Sequence, residues 1–446
     1  MVQETATLDL LSQLVRNACV NDFTPGSGQE IRNVETLYSF FAAEIAAGSI
    51  HATRYEPQPG RVSAVFHVPG NNPQAEPLTF MGHIDVVPVD TAQWTKPPFA
   101  ALIEDDRIYG RGTVDMLFIT AAMAQITKEV ANLGAAGDLY FVALADEEAR
   151  GGLGARWFLE NAPQAFSWRN CLSETGGAHL PTSDGSLATV LYVGEKGAAQ
   201  RRLHVIGDAG HGSAPYNKNF ATVRIGEVAA RLANNQPPVT NSALWQEFIG
   251  AFRFSPEITA ALARGEGYEH LGELAAYGHA VSHLTVSQTV LRAGQAINVL
   301  PSHAWLELDI RTLPGQTQDD VDEYLRTAMG DLAEHVRIER LIGEDATISA
   351  TTHPLYQVLE SVLRTQFPGT NVVPVIAPGG SDLRFARYHG GSGYGFAVHA
   401  PQRTLGAVHA QLHSHDEYLD LEDLDLTVAG YRAVTQEFLQ VTPRSE

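Results

Sequence analysis

Five short stretches of the chain place histidine or carboxylate side chains directly after apolar runs that predict buried strands. The residues concerned are His83, Asp85, Asp115, Glu147, Glu148, Glu174 and His413. Open α/β sheets bind their ligands beyond the carboxyl ends of the strands, so we expect these side chains to lie close together. The set exceeds what one tetrahedral zinc ion needs and suits two ions that share a bridging carboxylate. The pattern therefore indicates a two-metal hydrolytic site.

The order of the apolar runs predicts the fold class. Strand-like runs such as VSAVFHV, LTFMGHI and DLYFVALA alternate with helix-like stretches such as FITAAMAQITKEVANL, which is typical of an α/β protein. From Gly197 the order becomes strand, helix, strand, strand, helix, strand, and this predicts an inserted βαββαβ unit with its own core. We therefore expect a first domain at 1–196 and 344–446 and an inserted domain at 197–343. The polar stretch NNQPPVTNSALWQEF would begin an elaboration of the insert.

Charge and composition exclude several classes of partner. The formal net charge of −21 repels nucleic acid and anionic membrane surfaces, and no apolar run is long enough to span a bilayer. The first residues, MVQETATLDLLSQLVRN, lack the basic segment and apolar stretch of a signal peptide. Two cysteines in 446 residues, Cys19 and Cys171, fit a reducing compartment. We therefore expect a cytoplasmic protein that binds neither nucleic acid nor membranes.

Each of the acidic or histidine-bearing stretches has both a structural and a functional interpretation. His83 could pair with Asp85 for structural reasons, or bind a metal through one ring nitrogen while Asp85 holds the other. Asp115 could cap the helix that follows it, or bridge two metal ions. The acids of ALADEEARGG could form a solvated loop. If metals are present, Glu148 can bind one while Glu147 takes a proton from water and returns it to the leaving nitrogen.

The stretch QLHSHDEYL near the end of the chain leaves its ligand open. His409, His413 and His415 have the same parity, so all three would point the same way from an extended segment, and spacing does not choose between His413 and His415.

Other hydrolytic and nucleotide-binding motifs are missing from the sequence. It contains no G-x-S-x-G elbow, no P-loop and no H-E-x-x-H pair. A metal-dependent reaction remains the best-supported prediction.

Taken together, the motifs resemble one enzyme family along nearly the whole chain. They are GHIDVVP, W-x-x-P-P-F, IYGRGTVDM, DEEARGG, GHGSAP, INVLP with DIR, GGSDLRF and the final H-x-x-D-E. In this order they resemble the co-catalytic zinc family of carboxypeptidase S, glutamate carboxypeptidase, aminoacylase, acetylornithine deacetylase and succinyl-diaminopimelate desuccinylase. Two positions depart from common patterns, because Leu117-Phe118 stands where many members have Lys-Gly, and Glu174 where some have Asp. The subgroup is therefore left open.

The resemblance implies a role for each candidate residue of the metal site. One zinc ion would be bound by His83, Asp115 and Glu174, and the other by Asp115, Glu148 and His413. The H-x-x-D-E frame thus selects His413 over His415. Asp85 would orient His83, and Glu147 would be the general base. Cobalt or manganese could replace the two zinc ions at such ligands.

The resemblance also implies a mixed-sheet zinc-peptidase catalytic domain with an inserted ferredoxin-like lid domain. His211 of the lid would polarise the scissile carbonyl, in some relatives from the partner subunit of a homodimer formed through the lid. Asn298 and Arg311 would hold the substrate carboxylate and the oxyanion, since a guanidinium suits carboxylate binding. Gly380 and Ser381 would also contact the substrate.

The expected function is hydrolysis of amide bonds in small peptides or N-acyl amino acids that carry a free carboxylate, of the carboxypeptidase, dipeptidase or deacylase type. A hydroxide bridging the two metal ions would attack the amide carbonyl, with Glu147 as general base. Two alternatives remain at this stage. One is zinc aminopeptidase chemistry, which needs no carboxylate clamp, and the other is an inactive binding protein of the same fold.

Overall fold

The computed structural model describes residues 4–441, and their strands and helices follow the α/β pattern expected from the sequence. The strands are β1 (His51–Gln58), β2 (Arg61–Val68), β3 (Leu78–His83), β4 (Leu102–Glu104), β5 (Arg107–Tyr109), β6 (Leu139–Leu144), β7 (Asn170–Ser173), β8 (His179–Leu180), β9 (Ala188–Glu195), β10 (Gly197–Ala198), β11 (Arg201–Ile206), β12 (Gly210–His211), β13 (Thr285–Ala293), β14 (Val299–Leu300), β15 (His303–Thr312), β16 (Val336–Arg340), β17 (Thr347–Ile348), β18 (Asn371–Ala377), β19 (Ser392–Gly395) and β20 (Tyr418–Asp420).

The helices cover both the first and the inserted part of the chain. They are α1 (Thr5–Arg16), α2 (Ile31–Phe40), α3 (Ala42–Ala46), α4 (Leu117–Leu133), α5 (Ala155–Asn161), α6 (Ala221–Asn234), α7 (Ala243–Ala251), α8 (Pro256–Ala263), α9 (Ala275–Ser282), α10 (Gln318–Met329), α11 (Pro354–Gln366), α12 (Leu383–Tyr388), α13 (Leu405–His409) and α14 (Leu421–Phe438). Short 3₁₀ turns lie at Glu147–Ala149, Tyr268–Leu274 and Gly330–His335. Within residues 4–441, no helix is long and apolar enough to cross a membrane.

A mixed ten-stranded sheet forms the larger part of the molecule. Its strand order is β1-β2-β6-β3-β7-β19-β9-β17, and β8 and β18 also pair with β9. The central strands β6, β3, β7 and β19 run parallel to one another, whereas β1, β2 and β17 join antiparallel. Every residue of β3 is buried, as expected for a strand covered on both faces. Helices α4, α14 and α1 pack together on this part of the molecule.

A second, antiparallel sheet of five strands has the order β10-β15-β11-β16, with β13 also paired to β15. Along β15 buried and partly exposed residues alternate, so that one face of this sheet is covered and the other meets solvent. Helices α6 and α10 supply the cover, in a separate apolar core that includes Leu203, Val228, Leu306 and Leu325. The strands and helices of the predicted βαββαβ unit are thus all present, while its limits at 197 and 343 stay a prediction.

Helices α7 to α9 lie differently from what the sequence predicts. We expected the chain after residue 234 to elaborate the inserted unit, but Trp245, Phe248 and Tyr277 belong to the apolar core of the large sheet. Helix α7 packs against β18, and the Tyr277 hydroxyl donates a hydrogen bond of 2.9 Å to the Ile376 carbonyl of that strand. The apolar periodicity of a helix predicts that one face is buried, but it does not indicate which sheet covers that face.

Candidate metal centre

The parallel centre of the large sheet brings three of the candidate stretches to one edge. His83 is the last residue of β3, Glu174 follows β7, and the pair Glu147 and Glu148 follows β6. Strands β6 and β7 both pair with β3 in parallel, so their carboxyl ends lie side by side. Asp115 enters the same place from the turn that precedes α4. The sequence thus delivers its acids and its first histidine to the crevice where open α/β sheets bind ligands.

Asp115 lies between two imidazole rings and presents a different oxygen to each. Its Oδ1 is 3.1 Å from His83 Nε2, and its Oδ2 is 3.3 Å from His413 Nε2. His413 Nε2 is also 3.2 Å from Glu148 Oε2, and His83 Nε2 is 3.7 Å from Glu174 Oε2. The five residues proposed as ligands are therefore gathered around one shared carboxylate.

His413 is the histidine of the terminal stretch whose ring meets this cluster. The parity argument from the sequence does not apply here, because the segment is not extended. Helix α13 ends at His409, and His413 itself has a left-handed backbone conformation with φ of 57°. The turn directs the His413 ring toward Asp115 and Glu148, while His415 is an exposed residue two positions farther on.

The pKa shifts and the hydrogen bonding of the cluster indicate whether it suits cations. Burial and the Asp115 charge raise the pKa of Glu174 to about 8, and burial and the Glu174 charge raise the pKa of Glu147 well above its usual value. Glu148 Oε1 is buried and has no hydrogen-bond partner among residues 4–441. Cations between these groups would remove the repulsion and satisfy that oxygen. Ligand atoms of His83, Asp115 and Glu148, and of His83, Glu147 and Glu174, lie within 4.8 Å of one another. The residues fit divalent metal ions.

Asp85 supports the site in a way that differs from the prediction. His83 Nδ1 lies 3.0 Å from the backbone oxygen of Asp85 and 3.7 Å from the carboxylate, so the ring is held mainly by the main chain. The Asp85 carboxylate instead accepts hydrogen bonds from the backbone N–H groups of Glu147 and Glu148, at 3.2 and 3.3 Å. Asp85 therefore fixes the loop that carries the proposed base and a proposed ligand.

Asn21 is a supporting residue that the sequence analysis missed. Its side-chain amide is fully buried and donates hydrogen bonds to Asp85 Oδ2 at 2.9 Å and to Asp146 Oδ1 at 3.1 Å. Asp146 is also ion-paired with Arg61 at 2.6 Å, and Arg61 is paired with Glu30. Asn21 lies in a turn-rich stretch without any local signal for this role, because its partners are more than sixty residues away.

Glu417 is a second missed supporting residue. Its buried carboxylate accepts hydrogen bonds from Arg111 Nη1 at 2.6 Å and from the backbone N–H groups of Gly112, Val114 and Asp115 at 3.1, 2.7 and 3.3 Å. These contacts shape the turn that presents Asp115. A signal was available, because Glu417 ends the H-x-x-D-E motif.

A cavity of about 280 Å³ opens beside the cluster and shares Asp115, Glu174 and His413 with it. Gly380 and Ser381, predicted to contact substrate, line this cavity. The Ser381 backbone N–H and hydroxyl both donate hydrogen bonds to Glu195, the former at 2.9 Å. Next to Ser381, burial raises the pKa of Asp382 to about 7, and neither of its oxygens has a hydrogen-bond partner within residues 4–441.

The predicted lid residues lie in the part of the chain that forms the second sheet. His211 in β12 is exposed, and its Nδ1 is 2.7 Å from Ser213 Oγ. The Asn298 carbonyl accepts a hydrogen bond of 2.8 Å from the Gly212 N–H, so the two predicted loops are neighbours. Arg311 is ion-paired with Asp309 at 2.9 Å. These contacts bring His211 and Asn298 together but do not join them to the metal cluster.

The chain is similar in sequence and in fold to known proteins. The family model "Peptidase family M20/M25/M40" matches residues 79–437. Probable carboxypeptidase S-like 2 of Dictyostelium discoideum is 27% identical over 350 residues, which cover 72% of this chain and 64% of that protein. The N-fatty-acyl-amino acid synthase/hydrolase PM20D1 of Homo sapiens is 27% identical over 344 residues, covering 72% of this chain and 67% of that protein. The chain thus spans about two thirds of the length of these relatives.

The fold also matches a solved structure. The M20 family metallo-carboxypeptidase of Sulfolobus solfataricus superposes with a TM-score of 0.69 at 17% identity, covering 99% of this chain and 100% of that one. At this identity the match concerns the fold alone. The family model, in contrast, covers most of the chain, including every candidate residue of the metal cluster. The chain belongs to peptidase family M20/M25/M40.

Proposed function

We propose that this protein uses two zinc ions, which cobalt or manganese could replace, to hydrolyse amide bonds in small peptides or N-acyl amino acids that carry a free carboxylate. The observation that carries this proposal is the position of Asp115 between His83 and His413, with one carboxylate oxygen toward each ring. A carboxylate shared in this way can bridge two adjacent metal ions. The printed names of the two relatives, a carboxypeptidase S-like protein and an N-acyl amino acid hydrolase, support the substrate class.

The proposed ligands divide between two sites. His83 and Glu174 would complete one site, Glu148 and His413 the other, and Asp115 would belong to both. Metal ions bound there would lower the pKa of water and polarise the amide carbonyl. Side chains of the protein would transfer the proton and bind the substrate.

Glu147 is proposed as the residue that moves the proton. It precedes the proposed ligand Glu148 in a 3₁₀ turn whose backbone is held by Asp85, and one of its carboxylate oxygens lies within 4.8 Å of ligand atoms of His83 and Glu174. Burial and the neighbouring Glu174 raise the pKa of Glu147, which favours its protonated form more than in water. Its ionised carboxylate is a stronger base for the same reason, and it can accept a proton from the attacking water and return it to the leaving nitrogen.

The lid residues are proposed to act on the substrate once the inserted unit approaches the cluster. His211 would polarise the carbonyl, and Asn298 and Arg311 would hold the carboxylate and the oxyanion. Arg311 is now paired with Asp309, and a substrate carboxylate would compete for the same guanidinium. His211 is exposed and therefore free to meet a substrate, either in its own subunit or across a homodimer.

The test is metal-dependent turnover. The enzyme is stripped with a chelator and assayed for amine release from dipeptides and N-acyl amino acids before and after addition of zinc, cobalt or manganese. We expect turnover to disappear on stripping and to return with metal. Metal-free protein that remains fully active, or metal-loaded protein that cleaves no amide in the set, would contradict the proposal.

A matched pair of variants tests the ligand assignment. His413→Ala should lose metal and activity, because His413 faces both Asp115 and Glu148. His415→Ala removes an exposed histidine from the same segment and should leave the metal content unchanged. Equal metal content in the two variants would remove His413 from the ligand set.

A further inference from the structure

Glu344 joins the second sheet to the turn that contains the proposed base. Its backbone N–H donates a hydrogen bond of 2.8 Å to the Ala198 carbonyl, and its own carbonyl accepts one of 2.8 Å from the Ala198 N–H. Ala198 belongs to β10, the short strand through which the chain enters the second sheet. These two bonds attach the Glu344 backbone to the second sheet, while its side chain contacts another part of the molecule.

The Glu344 carboxylate forms an ion pair with Arg150, with 2.6 Å between Oε2 and Nη2. Arg150 directly follows the 3₁₀ turn Glu147–Ala149 and closes it, because its N–H donates a hydrogen bond of 2.8 Å to the Glu147 carbonyl. The Arg150 carbonyl accepts a further hydrogen bond of 3.1 Å from Arg384 Nη2. Arg150 therefore fixes the end of the turn that holds Glu147.

On its other side, Ala198 is paired with Arg311, the residue proposed to hold the substrate carboxylate or the oxyanion. Strands β10 and β15 are antiparallel neighbours, and Ala198 lies opposite Arg311 in their register. Arg311, Ala198 and Glu344 thus lie side by side on adjacent segments. From Arg311 to the turn of Glu147, the contacts consist of two backbone pairings and one ion pair.

The segments that enter and leave the second sheet are tightly packed at Gly197. A Cβ atom at this position would lie 2.4 Å from the Glu344 carbonyl oxygen and 2.4 Å from Thr312 Oγ1. Atoms that are not bonded do not approach so closely in a packed interior, so the position requires glycine. A displacement of β10 is therefore expected to displace Glu344 as well.

The ion pair between Arg150 and Glu344 is not a large contribution to stability. Their side chains are 36% and 22% exposed, and ion pairs in contact with solvent stabilise a fold only weakly. Substitutions at either residue should therefore leave the protein folded, so that their effect on turnover can be measured.

We propose that Glu344 and Arg150 are positioning residues that transmit binding of the substrate carboxylate at Arg311 to the turn of Glu147. The inference rests on the proposed function, in which the inserted unit holds that carboxylate and Glu147 moves the proton. When the bound carboxylate brings the inserted unit toward the cluster, β10 and Glu344 move with it, and the ion pair sets the turn in the position that proton transfer needs. Binding energy gained far from the reacting bond is thereby used to raise kcat.

Substrates that differ only in this carboxylate test the transmission. The probes are N-acetyl-L-leucine with N-acetyl-L-leucinamide, and Ala-Leu with Ala-leucinamide, assayed for release of leucine or leucinamide. In the parent, the carboxylate should raise kcat about 10-fold and also lower KM. In Glu344→Gln, the carboxylate should raise kcat only about 2-fold or less, while its effect on KM remains because Arg311 is intact.

Further variants show whether the effect depends on the ion pair. Arg150→Gln should match Glu344→Gln, and the double variant should lose no more than either single one, because all three lack the same ion pair. Arg150→Lys keeps the positive charge and should retain a carboxylate effect on kcat of about 5-fold. Glu76→Gln breaks an exposed ion pair with Arg169, which directly precedes β7 and so lies at the opposite edge of the sheet from the cluster, and it should behave like the parent.

The outcomes separate the inference from the function on which it rests. Metal content is measured in every variant, because Arg150 lies two residues after Glu148. A 10-fold effect of the carboxylate on kcat that persists in metal-loaded Glu344→Gln would overturn the inference. An equal fall in kcat for both substrates of a probe pair would also overturn it, because the ion pair would then only hold the turn in place.

A parent enzyme whose kcat is the same with and without the carboxylate would likewise overturn the inference and leave the proposed hydrolase intact. If the metal-loaded parent cleaves no amide substrate, the proposed function fails, and the inference falls with it.

Discussion

Replacement of Glu417 by glutamine tests how the chain holds the proposed bridging ligand. The Glu417 carboxylate is the ion-pair partner of the buried Arg111, at 2.6 Å, and it accepts backbone hydrogen bonds from the turn that ends at Asp115. Glutamine keeps the shape but has one acceptor oxygen, and its amide donors would face N–H groups that are themselves donors. Arg111 would then be buried without its counter-charge.

The expected cost follows from these contacts. Removal of one partner from a buried ion pair destabilises a protein by about 3–5 kcal/mol. We therefore expect Glu417→Gln to lower the Tm of the metal-free protein by ~4 °C or more in calorimetry. It should also weaken metal binding at least ~10-fold, as measured by titration, because the Asp115 backbone is released.

A control substitution isolates burial from charge. Glu160 and Arg156 form an exposed ion pair at 2.9 Å. Glu160→Gln removes the carboxylate of this pair and should lower the free energy of unfolding by about 0.5 kcal/mol or less. A Tm change for Glu417→Gln as small as that for Glu160→Gln, together with unchanged metal affinity, would refute the reasoning about the Asp115 turn.

Two further substitutions test buried polar groups near the cavity and the cluster. The pKa of His409 falls from 6.5 to about 4 on folding, so the neutral ring stabilises the protein above pH 6.5 and this contribution is lost as the pH falls from 6.5 toward 4. Between pH 7 and pH 5, the free energy of unfolding of His409→Gln should therefore fall by about 2 kcal/mol less than that of the parent. Urea unfolding of the metal-free proteins measures this difference. An equal fall in both proteins would contradict the prediction. Asn21→Leu should destabilise the fold by about 2–4 kcal/mol, because Asp85 and Asp146 each lose a buried hydrogen-bond donor. A Tm equal to that of the parent would exclude this supporting role.

The sequence predicts the convergence of the candidate ligands for a physical reason. His83, Glu148 and Glu174 follow apolar runs that form β3, β6 and β7, and parallel neighbouring strands end at the same edge of a sheet. Once the strands are recognised, proximity of their terminal side chains follows without knowledge of the loops. The positions of Asp115 and His413 depend on turns instead. For these two residues, only the resemblance to the family motifs predicts that they join the site.

Other features depend on contacts that local sequence does not encode. His413, and not His415, faces the cluster because the backbone at His413 is left-handed. The segment is therefore not extended, whereas the parity argument assumes that it is. Asn21 reaches Asp85 across 64 positions, so its role emerges only when the strands are assembled. Helix α7 has an apolar face that either sheet could cover, and packing against β18 decides between them.

The most direct test of the central claim compares metal content with turnover in Glu147→Gln. The substitution keeps the size of a side chain that we place beside the metal ligands as the proton-transferring group. We predict two metal ions per chain in both the parent and the variant by elemental analysis, with kcat/KM for amide hydrolysis reduced about 10²- to 10⁴-fold in the variant. Two bound metal ions together with parental turnover would contradict the assignment of Glu147, and a single metal ion per chain in the active parent would contradict the two-metal site.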